Sequence, residues 1–240
     1  MIHYLTGNPS TTMNSGNAIK IRANNITIDL NGYKLGGLAA GDGTHARGIY
    51  AFQRKNITIK NGIIRGFTIS IFLDDISPFT TSSGHVVKNI LADQNTEEGI
   101  RVIGLGNTVS QNRVVDTGGS TLRDSAFGIV VVGSGAKVMN NKISKTTAQS
   151  TDDARGVSMG SVNYSLVQNN TVTDTRAATG NSYAVHIQNL TGVFLRNNNL
   201  ANADNGVFFF SGSSGKYFNN LTFDVSAPFT GGTAVGNNNN

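Results

Sequence analysis

Cysteine and tryptophan are absent from this 240-residue chain, proline occurs three times, and charged residues make up only 14%. Without cysteine there is neither a disulfide frame nor a thiolate metal site. The longest apolar runs, such as Gly128 to Val132 and Val207 to Phe210, are far too short to span a bilayer. Met1 is followed by neither a basic region nor an apolar core, so no secretory leader is visible. No segment carries convincing helical periodicity. Lysine and arginine outnumber aspartate and glutamate 19 to 14, a formal charge of +5. These cations are scattered, with no basic run of five or more and no interleaved aromatic patch, so a nucleic-acid partner is not expected. A weak preference for polyanions such as acidic polysaccharide is.

What the chain does have is glycine, 29 of them, and a unit said twice. Asn25-Ile-Thr-Ile-Asp-Leu-Asn31-Gly-Tyr-Lys-Leu is followed by Asn56-Ile-Thr-Ile-Lys-Asn61-Gly-Ile-Ile-Arg-Gly-Phe. Each copy alternates apolar and polar residues, turns at Asn-Gly and starts a second short run, as two strands around a corner would. The pattern Asn-x-apolar continues at Asn31, Asn61, Asn89, Asn112, Asn141, Asn170, Asn198 and Asn219, at intervals of 21 to 30 residues. A period of that size signals a solenoid with one coil per repeat. Glycine precedes most opening strands, as in Gly48-Ile-Tyr, Gly99-Ile-Arg, Gly128-Ile-Val and Gly156-Val-Ser. It is expected there for its backbone freedom.

These signals predict an all-β, single-domain parallel β-helix of about eight coils, stacked at about 4.8 Å per strand. The corner asparagines are expected to form one amide ladder. Residues 1–16 read as an N-terminal lead-in or cap, 17–224 as the helix and 225–240 as a tail folding back over the last coil. Ile69, Ile71 and Leu73 are expected inside. Outward residues form two rows, one through Tyr50, Ser70, Arg101 and His186, the other through Phe52, Phe72, Ile103 and Val132. The apolar second row wants a cover: the chain's own insertions first, then a second subunit or neighbouring domain, or a sugar.

The two quoted repeats and the ending Phe229-Thr-Gly-Gly-Thr-Ala-Val-Gly-Asn resemble the bacterial right-handed parallel β-helix repeat proteins of the pectate-lyase-like superfamily. The resemblance covers nearly the whole chain and implies a right-handed coil and an extracellular or cell-surface location. That superfamily joins lyases, hydrolases, epimerases and phage tailspikes, so it implies no single activity. The Arg-rich strand of pectate lyases and the Asp-Pro-His-Asp of alginate epimerases have no counterpart here. Asp74-Asp75 with Gly84-His85 is similar to the catalytic residues of polygalacturonases, but His85 is only ten residues past Asp75, inside one insertion, where a surface loop is expected.

Loops before the opening glycines carry the better candidates. Asp93, Glu97 and Glu98 precede Gly99, Arg123 and Asp124 precede Gly128, and Asp152, Asp153 and Arg155 precede Gly156. Stacked in register, Glu98, Asp124 and Asp153 would be close enough for acid and base work on a glycosidic bond or uronic acid. Asp93, Glu97 and Asp152 would supply oxygen ligands for Ca²⁺, the cofactor this reading allows; otherwise there is none. Tyr50, Arg101, Arg123, Arg155 and His186 are the candidate ligand-binding residues, His186 as a lone surface histidine. Two readings stay open: a β-helix that binds glycan or a protein partner, or self-assembles, without catalysis, and a polysaccharide lyase or hydrolase using the carboxylates of coils 4 to 6.

Overall fold

The protein, as a computed structural model, is described for residues 1–161, 163–189 and 191–239. Among them are 23 strands, every named pair of which is parallel, and the only helical segment is the three-residue 3-10 turn Leu38–Ala40. Each strand pairs with its equivalent one coil away, which is a right-handed parallel β-helix.

Three sheet faces result. The first stacks Asn17–Ile21, Arg47–Phe52, Ile69–Asp74, Glu98–Ile103, Ala126–Val132, Ala154–Gly160, Ser182–Gln188 and the end of Asn199–Phe209. The second stacks short stretches, the starts of Thr58–Arg65 and Val86–Asp93 followed by strands such as Thr108–Ser110, Lys137–Met139 and Leu166–Gln168. The third stacks Arg113–Gly118, Lys142–Ala148, Thr171–Ala177 and the start of Asn199–Phe209.

Alternation puts like on like inside. Ile71, Ile100, Ile129, Val157, Val185 and Val207 form one buried column, and Leu73, Val102, Val131, Met159, Ile187 and Phe209 the next. Such columns drive folding because each apolar side chain is covered from above and below by its repeat neighbours.

The asparagines form two adjacent ladders where one was expected. Asn31, Asn61, Asn89, Asn140, Asn169, Asn197 and Asn219 hold the left-handed corner, with φ between 52° and 60°. Asparagine tolerates that conformation better than most L-residues. Beside them runs a buried ladder, Asn112, Asn141, Asn170, Asn198 and Asn220. Asn141 donates from both its backbone N–H and Nδ2 to Asn170 Oδ1 at 3.0 Å, and its Nδ2 also reaches Val109 O at 3.0 Å. Asn112, Asn170 and Asn198 repeat this bonding upon Asn141, Asn198 and Asn220. Every amide is satisfied, which a buried polar column requires. The expected single ladder slipped between columns at Asn31, Asn61, Asn89 and Asn219, because the apolar residue two places on faces inward only in the middle coils.

The opening glycines also have a different cause. None of Gly48, Gly99, Gly128, Gly156 and Gly206 has positive φ; a Cβ on Gly128 would lie 2.5 Å from Gly156 O and 2.6 Å from Ile143 Cγ2. Crowding against the next coil selects glycine there. Both ends follow the path of the coils: Ile2–Tyr4 pairs with Thr27–Asp29, and Leu221–Thr230 with Asn199–Phe209.

Candidate functional site

The outward side of the first face carries the chemistry, and its register differs from expectation in one coil. Ser70 aligns with Gly99 and Gly128, inside the crowded column, where its hydroxyl donates to Gly99 O. Phe72, two residues on, takes the place expected for Ser70, between Tyr50 and Arg101. Ile69 accordingly faces out, in a small cluster with Phe72 and Ile103 that Phe79 of the coil-3 insertion covers. The apolar stripe is thus covered by the chain's own loop.

Two outward rows remain. One runs Arg47, Ile69, Glu98, Phe127, Arg155, Tyr183; the other Tyr50, Phe72, Arg101, Val130, Ser158, His186, Phe208. In the early coils they build a charged pocket. Arg47 Cζ lies 4.9 Å from the Tyr50 ring centre and 5.1 Å from that of Phe72, while Arg101 Cζ approaches Phe72 to 5.6 Å. Two guanidiniums therefore lie within cation–π reach of Phe72. Arg101 binds Glu98 through both arms, Nη2 to Oε1 at 2.5 Å and Nε to Oε2 at 2.7 Å. Glu98 is only 2% exposed. Burial pushes its carboxyl up to about 7, Arg101 pulling it down and neighbouring Glu97 pushing it up.

Two loops wall this pocket. His45 comes from the loop after Leu38–Ala40, Leu122 and Arg123 from the loop after Arg113–Gly118, and the loops meet where Thr121 N donates to Asp42 O at 3.3 Å. The cavity, about 340 Å³ and open to solvent on one side, is lined by these residues with Arg47, Thr68, Ile69, Glu97, Glu98 and Arg101. Among the described residues neither Arg47 nor Arg123 has a carboxylate at ion-pairing distance. Beyond Tyr50, whose hydroxyl donates to Asp74 Oδ2 at 3.2 Å, burial raises the Asp74 carboxyl above its usual range.

The late coils turn aromatic. Arg155 lies over Phe127 at 5.5 Å and Tyr183 at 5.9 Å and pairs with Asp153 at 3.0 Å. Tyr183 meets His186 edge-on at 4.9 Å, and His186 stacks on Phe208 at 5.6 Å. The expectation of a lone surface histidine fails: His186 is 2% exposed because these rings enclose it, and burial, aided by Arg155, lowers it to about 4. Phe210 stays exposed at the end of the row, 6.3 Å from His186.

Of the expected acids, only Glu98 and Glu97 share a cavity. Asp124 is exposed on its loop, and Asp153 lies two coils from Glu98, roughly 10 Å by strand spacing. Asp93 pairs with Arg65 at 3.0 Å and Asp152 is exposed, so the Ca²⁺ ligands are not gathered. Among the described residues no three of His, Cys, Asp or Glu are placed to hold a metal ion. Asp75 and His85 also differ from the expected surface loop. Asp75 accepts the backbone N–H groups of Ile76, Thr81 and Ser82, and buried His85 accepts the Ile57 N–H at its Nδ1. Arg47, Phe127 and Tyr183 were not foreseen, while Phe72 was expected in the neighbouring outward row and Asp74 only as half of a polygalacturonase-like pair. A signal existed: the residue just before each opening glycine faces out, as in Arg47-Gly48, Phe127-Gly128 and Arg155-Gly156.

No protein-family model matches the chain, and no curated protein sequence does. Solved structures do match, and they define its class as the parallel β-helix proteins. A pectate lyase is 12% identical with a TM-score of 0.63, over 100% of this chain and 68% of its own. A structure described as XylC with xylose is 12% identical with a TM-score of 0.59, over 82% of this chain and 35% of its own. The full-length tailspike protein 2 of an Escherichia coli bacteriophage is 13% identical with a TM-score of 0.58, over 96% and 34%. This chain thus spans about a third of the length of the last two. The likeness is one of fold. No helix among the described residues is long and apolar enough to cross a membrane.

Proposed function

We propose that this protein is an extracellular or surface β-helix that binds an acidic glycan along the outward side of its first face. One observation carries the reading: on that side, which holds every cation–π contact among the described residues, arginines alternate with aromatic rings through successive coils, from Arg47, Phe72 and Arg101 to Arg155, Tyr183 and Phe208. Guanidiniums recognise carboxylate or sulfate groups in a planar, two-pronged manner, and flat rings supply apolar area against which a sugar ring packs. Between the two clusters Val130, Ser158 and Gly160 leave a low floor. The likeness to a pectate lyase and to a xylose complex is in keeping with this reading.

Calorimetric titration of acidic and neutral oligosaccharides tests it. Acidic oligomers bind and their neutral counterparts bind at least about tenfold more weakly. Arg123→Ala, which removes an exposed guanidinium without breaking an ion pair, weakens the acidic ligands about five- to tenfold. Equal affinity for acidic and neutral oligomers, or none for either, sinks the proposal.

A second reading, cleavage of the bound glycan, draws on Glu98 alone. A buried carboxyl titrating near neutrality beside cationic groups is suited to proton transfer. Asp124 is exposed on its loop and Asp153 lies two coils away, so the reading does not draw on them. New reducing ends or unsaturated-product absorbance, absent in Glu98→Gln, would establish the lyase or hydrolase; binding without product leaves the non-catalytic module.

A further inference from the structure

The charged pocket has an internal imbalance of access. Arg101 is 30% exposed while the carboxylate it holds is 2% exposed, so an incoming anion can reach the guanidinium without first reaching Glu98. Arg47 and Arg123 line the same cavity with no ion pair of their own among the described residues. An anionic sugar unit would therefore find three guanidiniums, one of them already occupied from behind.

Resting on the glycan-binding reading, we propose that the anionic group binds by replacing the Glu98 carboxylate on Arg101, and that Glu98 takes up a proton from solvent as it is released. Burial enforces the exchange. Deprived of Arg101, an ionised Glu98 would be a buried charge without a partner, which a folded protein avoids by neutralising the group. Its surroundings agree from every side. Its register neighbours in adjacent coils are apolar, Ile69 below and Phe127 above. Glu97 is the adjacent carboxylate and repels it. Arg123 on the loop favours its charge, and both it and Arg47, two coils back, would be engaged by the ligand. Asp74 faces Arg47 and Arg101 from beyond Tyr50. His45, the one imidazole in the cavity's lining, is exposed at the rim. Protonating Glu98 leaves Glu97 as the one other carboxylate lining the cavity against three guanidiniums, with Asp74 beyond it, a site better matched to an anion. Since the free carboxyl already titrates at about 7, the proton is taken up only at and above neutrality.

Calorimetry with trigalacturonate, run in two buffers of different ionisation heat, counts the proton directly. Near one proton enters per ligand at about pH 8 and almost none at about pH 5, and affinity falls about tenfold per pH unit above neutrality. His45→Gln keeps the uptake. Glu98→Gln binds with an affinity independent of pH and takes up no proton. The carboxyl ¹³C signal of Glu98 in the unaltered protein gives the same answer without a variant, its midpoint moving to higher pH when trigalacturonate or inorganic sulfate is added. Binding without proton uptake, an uptake that disappears with His45→Gln, or a Glu98 midpoint unmoved by a bound anion overturns the exchange and leaves the groove standing. Failure of both anions to bind between about pH 5 and 8 overturns the exchange together with the groove.

Discussion

The two ends of the outward face are built on the same scaffold and buried to the same degree, yet they respond to pH in opposite directions. In the early coils the buried titratable group is Glu98, raised to about 7; in the late coils it is His186, lowered to about 4. Burial favours the neutral form of each, so it moves an acid up and a base down. For Glu98 the stability is fully present below about pH 4.5 and is lost as pH rises through 7. For His186 it is present above about pH 6.5 and is lost as pH falls toward 4. One face thus combines an end that is weakened by base with an end that is weakened by acid. What differs is the partner: Glu98 has a guanidinium on both oxygens, whereas His186 has only rings around it and a neighbouring arginine that repels its charge.

That contrast can be broken from either side. The largest effect is expected from Arg101→Ala, which strands Glu98: about 3 to 5 kcal/mol at about pH 9, much less at about pH 5 where the carboxyl is protonated. Urea unfolding at both values, with Glu98→Gln/Arg101→Ala as the rescue, measures it; a pH-independent loss would mean that packing of Arg101 against Phe72 matters more than charge. Next comes His186→Phe, which keeps the stacking and removes the titration. It should gain about 1 to 2 kcal/mol over the wild type on going from about pH 8 to about pH 4, after discounting for solvent screening. An unchanged difference between the two would show that His186 is not held neutral. The smallest is Phe210→Ala, an exposed ring at 46% accessibility. It should cost under about 1 kcal/mol in stability while weakening longer oligosaccharides by about fivefold. Short acidic oligomers that occupy only the arginine pocket should be indifferent to it, as calorimetry with oligomers of increasing length would show.

Much of this architecture could be read from the amino acids, because each coil repeats its local signals. Asn at the left-handed corner, Gly where the next coil presses close, and aliphatic residues at alternating places mark the strands and their direction. What escaped was phase. Coil 3 slipped by two residues because Ser70 occupies a place that is glycine in Gly99 and Gly128, and the eye takes the next polar residue for the outward one. The asparagine ladders slipped by one for a similar reason, since Asn-Asn at 197–198 and 219–220 offers a choice that only register settles. Of the site, Glu98, Arg101, Arg123 and Tyr50 could be named from loop position and alternation. Burial could not. Glu98 and His186 owe their perturbed titration to neighbours one coil away, at sequence distances of 20 to 30 residues, and to loops such as 119–125 whose course no repeat dictates.

The central claim is that one face, charged at its early coils and aromatic at its late ones, is where an acidic glycan sits. Amide chemical-shift mapping of the ¹⁵N-labelled protein with an acidic oligosaccharide long enough to cross six strand spacings, about 29 Å, tests it most directly. The account predicts shifts confined to the outward residues of Arg47–Phe52 through Ser182–Gln188, the loops around His45 and Arg123, and Phe208 to Phe210. Shifts gathered instead on the third face, around Lys145 and Arg176, or none at saturating ligand, would contradict it.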